Sequence, residues 1–171
     1  MLSFSIIKEL IKINISFLVL VTCYIGYYLG LRSEGLMMVE LQSWITFFYL
    51  IVGTFLSSSG ASMLNQYIER EYDSKMLRTQ NRPLPSNKVK PQNVLFTGLL
   101  LCFLGPFILL YFINILTAVI SSLTIITYLF VYTPLKRITS LNTIVGSIPG
   151  ALPPVGGWVA ATGNIELKAM M

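Results

Sequence analysis

Residues 65–84 read N-Q-Y-I-E-R-E-Y-D-S-K-M-L-R-T-Q-N-R-P-L. The stretch holds three of the chain's seven acidic residues, Glu69, Glu71 and Asp73. It also holds four of the twelve basic ones, Arg70, Lys75, Arg78 and Arg82. The sequence on either side is almost wholly apolar. A chain that avoids charge elsewhere has gathered both signs here, so this segment marks where apolar spans end and polar chemistry begins.

Working outward, the 171 residues are 54% hydrophobic and 11% charged, with a mean hydropathy of +0.72. Soluble domains carry about 25% charged residues. Several apolar runs approach the roughly 20 residues needed to cross a bilayer. The fold class that follows is all-α, a polytopic membrane helical bundle forming a single membrane domain over 1–171. Its predicted spans are 13–31, 44–64, 94–113, 115–132 and 141–162, with a cytoplasmic loop at 65–92. The first run is too long for a signal-peptide core and lacks a small-x-small cleavage site, so it is expected to stay as a span. The pI of about 9.3 does not imply nucleic acid, because the positive charge lies in short loops between spans, where it sets topology and can meet an anion. With no histidine, histidine bases, triads and bis-His haem ligation are excluded. Cys23 and Cys102 sit far apart in apolar runs and read as buried thiols.

Three local features are expected to matter. Ser57, Ser58, Ser59, Gly60, Ala61 and Ser62 form a block of small residues suited to close helix packing or to lining a cavity. Pro106 predicts a kink in the third span. The last apolar segment contains Gly146, Pro149, Gly150, Pro153, Pro154, Gly156 and Gly157, which predicts a broken or unwound helix forming a cavity wall. Lys8, Lys12, the six basic residues from Arg70 to Lys90, and Lys136 and Arg137 fall on one side of a serpentine path. Arg32 and Lys168 fall on the other. The positive-inside rule puts the N-terminus and both charged loops in the cytoplasm. No Arg-rich, acid-poor transit peptide is evident, which favours a bacterial inner membrane over a mitochondrial one.

Asn65, Glu69 and Asp73 are spaced four and four, so on an α-helix they share one face with a drift of about 40° per step. Glu71 points elsewhere. An amide oxygen and two carboxylates are hard donors, which suit Mg²⁺ or Mn²⁺ and not zinc or copper. Mg²⁺ completes its shell with water and phosphate oxygens, so the stripe suits a metal–phosphate complex. Lys75, Arg78 and Arg82 follow at once, and Arg forks match phosphate oxygens. The hairpin of spans three and four returns Lys136 and Arg137 to the same membrane face, so two loops can converge on one anion. Two plainer readings stay open on spacing alone: a solvated loop that only sets orientation, and i,i+4 salt pairing on an exposed helix end.

The stretch N-x-x-x-E-R-E-x-D-x-x-M-x-R-T-x-N-R-P-L resembles the first aspartate-rich motif of the UbiA superfamily of intramembrane prenyltransferases. Its second half, and Y-T-P-L-K-R-I-T-S-L-N-T-I-V-G-S-I-P-G-A-L-P-P-V-G-G-W-V-A at 132–160, resemble the protoheme IX farnesyltransferase (haem O synthase) branch. I-N-I-S-F-L-V-L-V-T-C-Y-I-G at 13–26 is loosely similar to the first helix of that branch. The resemblance implies a helical bundle around a central cavity and Mg²⁺-dependent transfer of a farnesyl group from farnesyl diphosphate to a vinyl group of haem b. By position, Asn65, Glu69 and Asp73 would hold the metal, and Arg78, Arg82, Lys75, Lys136 and Arg137 the diphosphate. Asp73, Glu69, Arg78 and Lys136 would be catalytic. Glu69 stands where the family often has Asp. Members continue with further spans and a second acidic motif, so the chain is expected to match their N-terminal part. The resemblance also implies membrane lipid as surroundings, and other haem-synthesis or terminal-oxidase assembly proteins as partners. Another aromatic or tetrapyrrole acceptor, and a non-enzymatic membrane remnant, remain as alternatives.

Overall fold

The structure, a computed structural model, describes residues 4–165; Lys168 lies outside them. All the regular elements among these residues are helical. They are α1 (Phe4–Leu10), α2 (Ile13–Ser33), α3 (Leu41–Asp73), α4 (Pro91–Phe112), α5 (Ile115–Ile126), α6 (Thr133–Leu135) and α7 (Asn142–Thr162). A π-helical turn, Thr127–Tyr132, joins α5 to α6 without a break. Five helices are long and apolar enough to cross a membrane: α2, α3, α4, the α5–α6 unit and α7. In lipid a helix satisfies every backbone polar group within its own segment, which is why apolar runs of this length take this form.

The chain runs back and forth, so α2, α4 and α7 leave the end of the bundle that carries the charge, while α3 and the α5–α6 unit return to it. The closest pairings are α3 with α4 and α2 with α7. Glycine makes both possible. A Cβ at Gly60 would come within 2.7 Å of the Cys102 backbone nitrogen. Where the parallel α2 and α7 cross, a Cβ at Gly26 would run into the Pro154 carbonyl oxygen, and one at Gly157 into that of Cys23. Without a hydrophobic drive between helices in lipid, such close backbone approach supplies the association.

Two expectations need correction. Residues 65–73 are not loop: α3 continues unbroken to Asp73 over 33 residues. At 1.5 Å per residue that is about 50 Å, longer than the roughly 30 Å hydrocarbon core, so its last turns stand clear of it. The last span is not unwound, because α7 stays helical through Pro149, Pro153 and Pro154. Its packing on α2 holds the rod, and the prolines remove donors without ending it; membrane helices tolerate this because neighbouring groups can serve the freed carbonyls. Pro106, the expected kink site, lies within α4, which is continuous from Pro91 to Phe112.

The loop of residues 74–90 is folded back on the bundle. Leu84 and Val89 are buried with Leu10, Met63 and Val94 in a small core at the charged end. Thr79 is buried too and donates its hydroxyl to the Asp73 carbonyl at 2.9 Å. This local core fixes where Arg78 and Arg82 stand.

Candidate active site

A cavity of about 770 Å³ opens inside the bundle, within the range of about 300–1,000 Å³ common for ligand sites. Its depth is apolar, with Val19, Leu50, Leu109, Ile120 and Leu152 on the wall. One face of α7 contributes Gly146, Pro149, Gly150, Pro153 and Gly156. That segment is therefore a cavity wall, as its composition predicts, but a helical one. The small-residue block of α3 does both jobs expected of it. Gly60 meets α4, while Ser57, Ser58, Ala61 and Ser62 face the cavity.

At the charged end the wall changes character. Lys12, Arg78, Arg82 and Lys136 line it together with Asn65. Four helical turns and loops that are remote in sequence deliver these five side chains. Behind them stand the carboxylates. Asn65, Glu69 and Asp73 are all buried, at 2%, 4% and 5% relative exposure, so the predicted stripe faces inward along α3. Lys136 Nζ lies 2.6 Å from Glu69 Oε1 and 2.8 Å from Oε2. Arg137 stands 3.8 Å from Glu69 Oε1. Arg82 donates to Asp73 Oδ2 at 2.8 Å. The two carboxylates are thus covered by cations, and the surface presented to the cavity is positive.

Asn65 ties three elements together. Its Oδ1 accepts from Lys12 Nζ at 3.0 Å, and its Nδ2 donates to Thr133 Oγ1 at 3.0 Å. Thr133 in turn donates to the Tyr128 carbonyl at 2.8 Å, five residues back. That bond locks the end of the π-helical turn. The wider turn places Tyr128 and Tyr132 together on the cavity wall beside Lys136, their rings stacked with centroids 5.6 Å apart. Turns of this kind recur at functional sites.

The other predicted residues separate. Arg78 lines the cavity and forms no ion pair among the described residues. Lys75 is exposed and is not part of the wall. Glu71 is exposed and pairs with Arg70 at 3.4 Å. Arg137 reaches its position through Tyr72, its guanidinium lying 3.7 Å from the ring centroid. Sequence reasoning used Lys12 only for topology and did not single out Tyr128 or Tyr132 as site residues. The tyrosines carried a usable signal, since 128, 132 and 136 are spaced four and four and end on a lysine. Burial pulls the Lys12 ammonium below its ordinary value, the positive charge of Arg82 adds to that, and Glu69 opposes it.

The UbiA prenyltransferase family matches residues 17–171. The chain belongs to the UbiA prenyltransferase family. Among curated relatives it is 42% identical over 170 residues to a protein named protoheme IX farnesyltransferase from Solibacter usitatus, covering 94% of this chain and 56% of the relative. A protein of the same name from Sorangium cellulosum is 44% identical over 121 residues, covering 71% of this chain and 43% of the relative. A mitochondrial protein of that name from Arabidopsis thaliana is 37% identical over 163 residues, covering 95% of this chain and 36% of the relative. The chain spans about half the length of the bacterial relatives it matches. No solved structure matches it. As a family member with five apolar spans, it is a multi-pass membrane protein.

Proposed function

We propose that this chain supplies the diphosphate-binding end of a farnesyltransferase that alkylates a vinyl group of haem b with farnesyl diphosphate, giving haem O. The observation that carries the reading is the polarity of the cavity, with four cations at one end and an apolar shaft behind them. That pattern suits a ligand with a strongly anionic head and a hydrocarbon tail. The relatives' shared name adds the farnesyl group and protoheme IX.

In the reaction the C1–O bond of the farnesyl group breaks and its electron pair leaves with the diphosphate. The vinyl π electrons form the new carbon–carbon bond, and the cation left beside the macrocycle is captured by water, which releases a proton and leaves a hydroxyl group. Arg78, Arg82 and Lys136 bind the head and offset charge growing on the leaving oxygens. The apolar walls keep water from the allylic carbon. Tyr128 and Tyr132 line the cavity next to the cationic end, where an aromatic π system favours a nearby positive charge.

A divalent cation fits the residues present. Asn65, Glu69 and Asp73 offer hard oxygens on one buried helix face, each already holding an ammonium or guanidinium group. No group of three or more His, Cys, Asp or Glu side chains converges among the described residues. The set therefore suits Mg²⁺ or Mn²⁺ arriving with phosphate oxygens, not a free-standing metal cage. When bound, the ion would neutralise charge on the leaving group. The charged end faces the cytoplasm in this reading, and a bacterial inner membrane is favoured. Proteins of haem synthesis and terminal-oxidase assembly are the partners to be sought.

The test is product mass. Protein carrying this chain, purified in detergent with Mg²⁺, farnesyl diphosphate and haem b, is expected to yield a farnesylated haem. Farnesylation of a different acceptor from a panel would overturn the haem assignment. Loss of Mg²⁺-dependent binding of a farnesyl diphosphate analogue would overturn the prenyltransferase reading as a whole.

A further inference from the structure

Lys12 differs from Arg82 and Lys136 among the cations of the cavity. Arg82 and Lys136 each hold a carboxylate, whereas Lys12 forms no ion pair among the described residues and donates to a neutral amide oxygen, Asn65 Oδ1. It lies at the joint of α1 and α2, with a left-handed backbone at φ 48° and ψ 58°, a conformation that non-glycine residues take up only where the surroundings hold them in it.

The surroundings do hold it. Gln66, the residue after Asn65, is buried, and its Nε2 donates to the carbonyls of Glu9 and Leu10 at 3.1 and 2.8 Å. Ser16 Oγ donates to the Ile11 carbonyl at 2.9 Å. The Lys12 carbonyl accepts from the backbone nitrogens of Ile15 and Ser16 at 2.8 and 3.1 Å, which starts α2. Both carbonyl clamps sit on residues before Lys12, and the first turn of α2 grips the residue itself. Its backbone is pinned on both sides while its long side chain reaches the cavity. The same side chain also borders a second, smaller cleft, shared with Arg82 and Gln66.

We infer that Lys12 is a further diphosphate-binding residue, whose ammonium rests on Asn65 Oδ1 and turns onto the diphosphate when that oxygen is engaged by the incoming metal-bound head group. This rests on the reading of the cavity given above. Asn65 Oδ1 cannot serve a lysine and a divalent cation at close range without bringing like charges together. A flexible four-carbon stem on a fixed backbone lets the ammonium move by a rotamer change onto phosphate oxygens held at the cationic end of the cavity. Lys12 is in this sense a positioning residue that becomes a ligand. The alternative is a structural pin, in which Lys12 only ties the α1–α2 joint to α3.

The two roles separate by binding of inorganic diphosphate with Mg²⁺ to the purified full chain in detergent, followed by calorimetry, with melting temperature measured on each variant. Lys12→Gln keeps a hydrogen-bond donor for Asn65 and removes the charge. It is expected to raise the diphosphate Kd by about tenfold, the scale of one charge-assisted hydrogen bond, with the melting temperature kept. Lys12→Arg is expected to bind within about threefold of the wild type, because the charge is retained. A Lys12→Gln protein that binds like the wild type overturns the inference and leaves the wider reading of the cavity standing. Equal losses in the Arg and Gln variants also overturn it, since position and not charge would then be the determinant. A wild-type chain that does not bind diphosphate overturns the inference and the reading of the cavity together.

Discussion

Lys136 Nζ bridges both carboxylate oxygens of Glu69, at 2.6 and 2.8 Å, across 67 residues of sequence. The pair is unequal. Glu69 keeps 5% of its side-chain exposure and Lys136 39%. Removing the lysine would leave a buried carboxylate with Arg137 at 3.8 Å as its remaining charge partner. Removing the carboxylate would leave an ammonium that can turn to water. Breaking a buried pair costs most when the buried partner is the one stranded. Lys136→Met is therefore expected to cost about 2–4 kcal/mol and Glu69→Gln about 1–2 kcal/mol. The double variant should cost less than the sum, read by melting in detergent.

Asp73 lies one helical turn beyond Glu69 and holds Arg82 at 2.8 Å. In Asp73→Asn the amide oxygen can still accept from Arg82, and the Thr79 bond to the Asp73 carbonyl is untouched. Folding should survive. If the carboxylate helps bind a metal-bound diphosphate, transfer should fall by about 100-fold or more, the scale of losing one electrostatic group in a dry site. Activity like the wild type in a folded Asp73→Asn protein would remove Asp73 from the mechanism.

The α2–α7 crossing predicts a contrast between two glycines of one helix. A Cβ at Gly157 would collide with the Cys23 carbonyl oxygen, whereas at Gly150 nothing lies within 4 Å. Gly157→Ala should separate the helices at a cost of about 1–3 kcal/mol. Gly150→Ala should be neutral or stabilise by up to about 1 kcal/mol through helix propensity. Melting temperatures of the two variants check this directly, and similar losses in both would refute the packing account.

Arg137 is carried to Glu69 over the face of Tyr72. Tyr72→Phe keeps the ring and should be nearly silent. Tyr72→Ala should cost about 0.5–1 kcal/mol, the worth of a partly exposed cation–π contact. A double-mutant cycle with Arg137→Met measures the coupling, and an equal loss in the Phe variant would mean that the hydroxyl, not the ring, carries the contact.

Much of this protein could be read without coordinates because the signals are local and periodic. Apolar run length determined the five spans. The four-residue spacing of Asn65, Glu69 and Asp73 determined that they share a helix face, and the alternation of spans determined that Lys136 and Arg137 return to it. Other features lie beyond such patterns. Proline and glycine content misled for α7, because its helix is held by close packing on α2, an interaction between residues more than a hundred positions apart. The predicted span stopped at residue 64, at the first polar residues, whereas α3 runs on to Asp73, where Arg82, Lys136 and Arg137 offset the charge of its acids in space. Which cation reaches which oxygen depends on how two loops and the α1–α2 joint close over the bundle, and periodicity carries no information about that. The chain's own residues determined a helical membrane protein with a charged end; only its tertiary packing decided that the acids lie behind the cations, so that the cavity presents positive charge to whatever enters it.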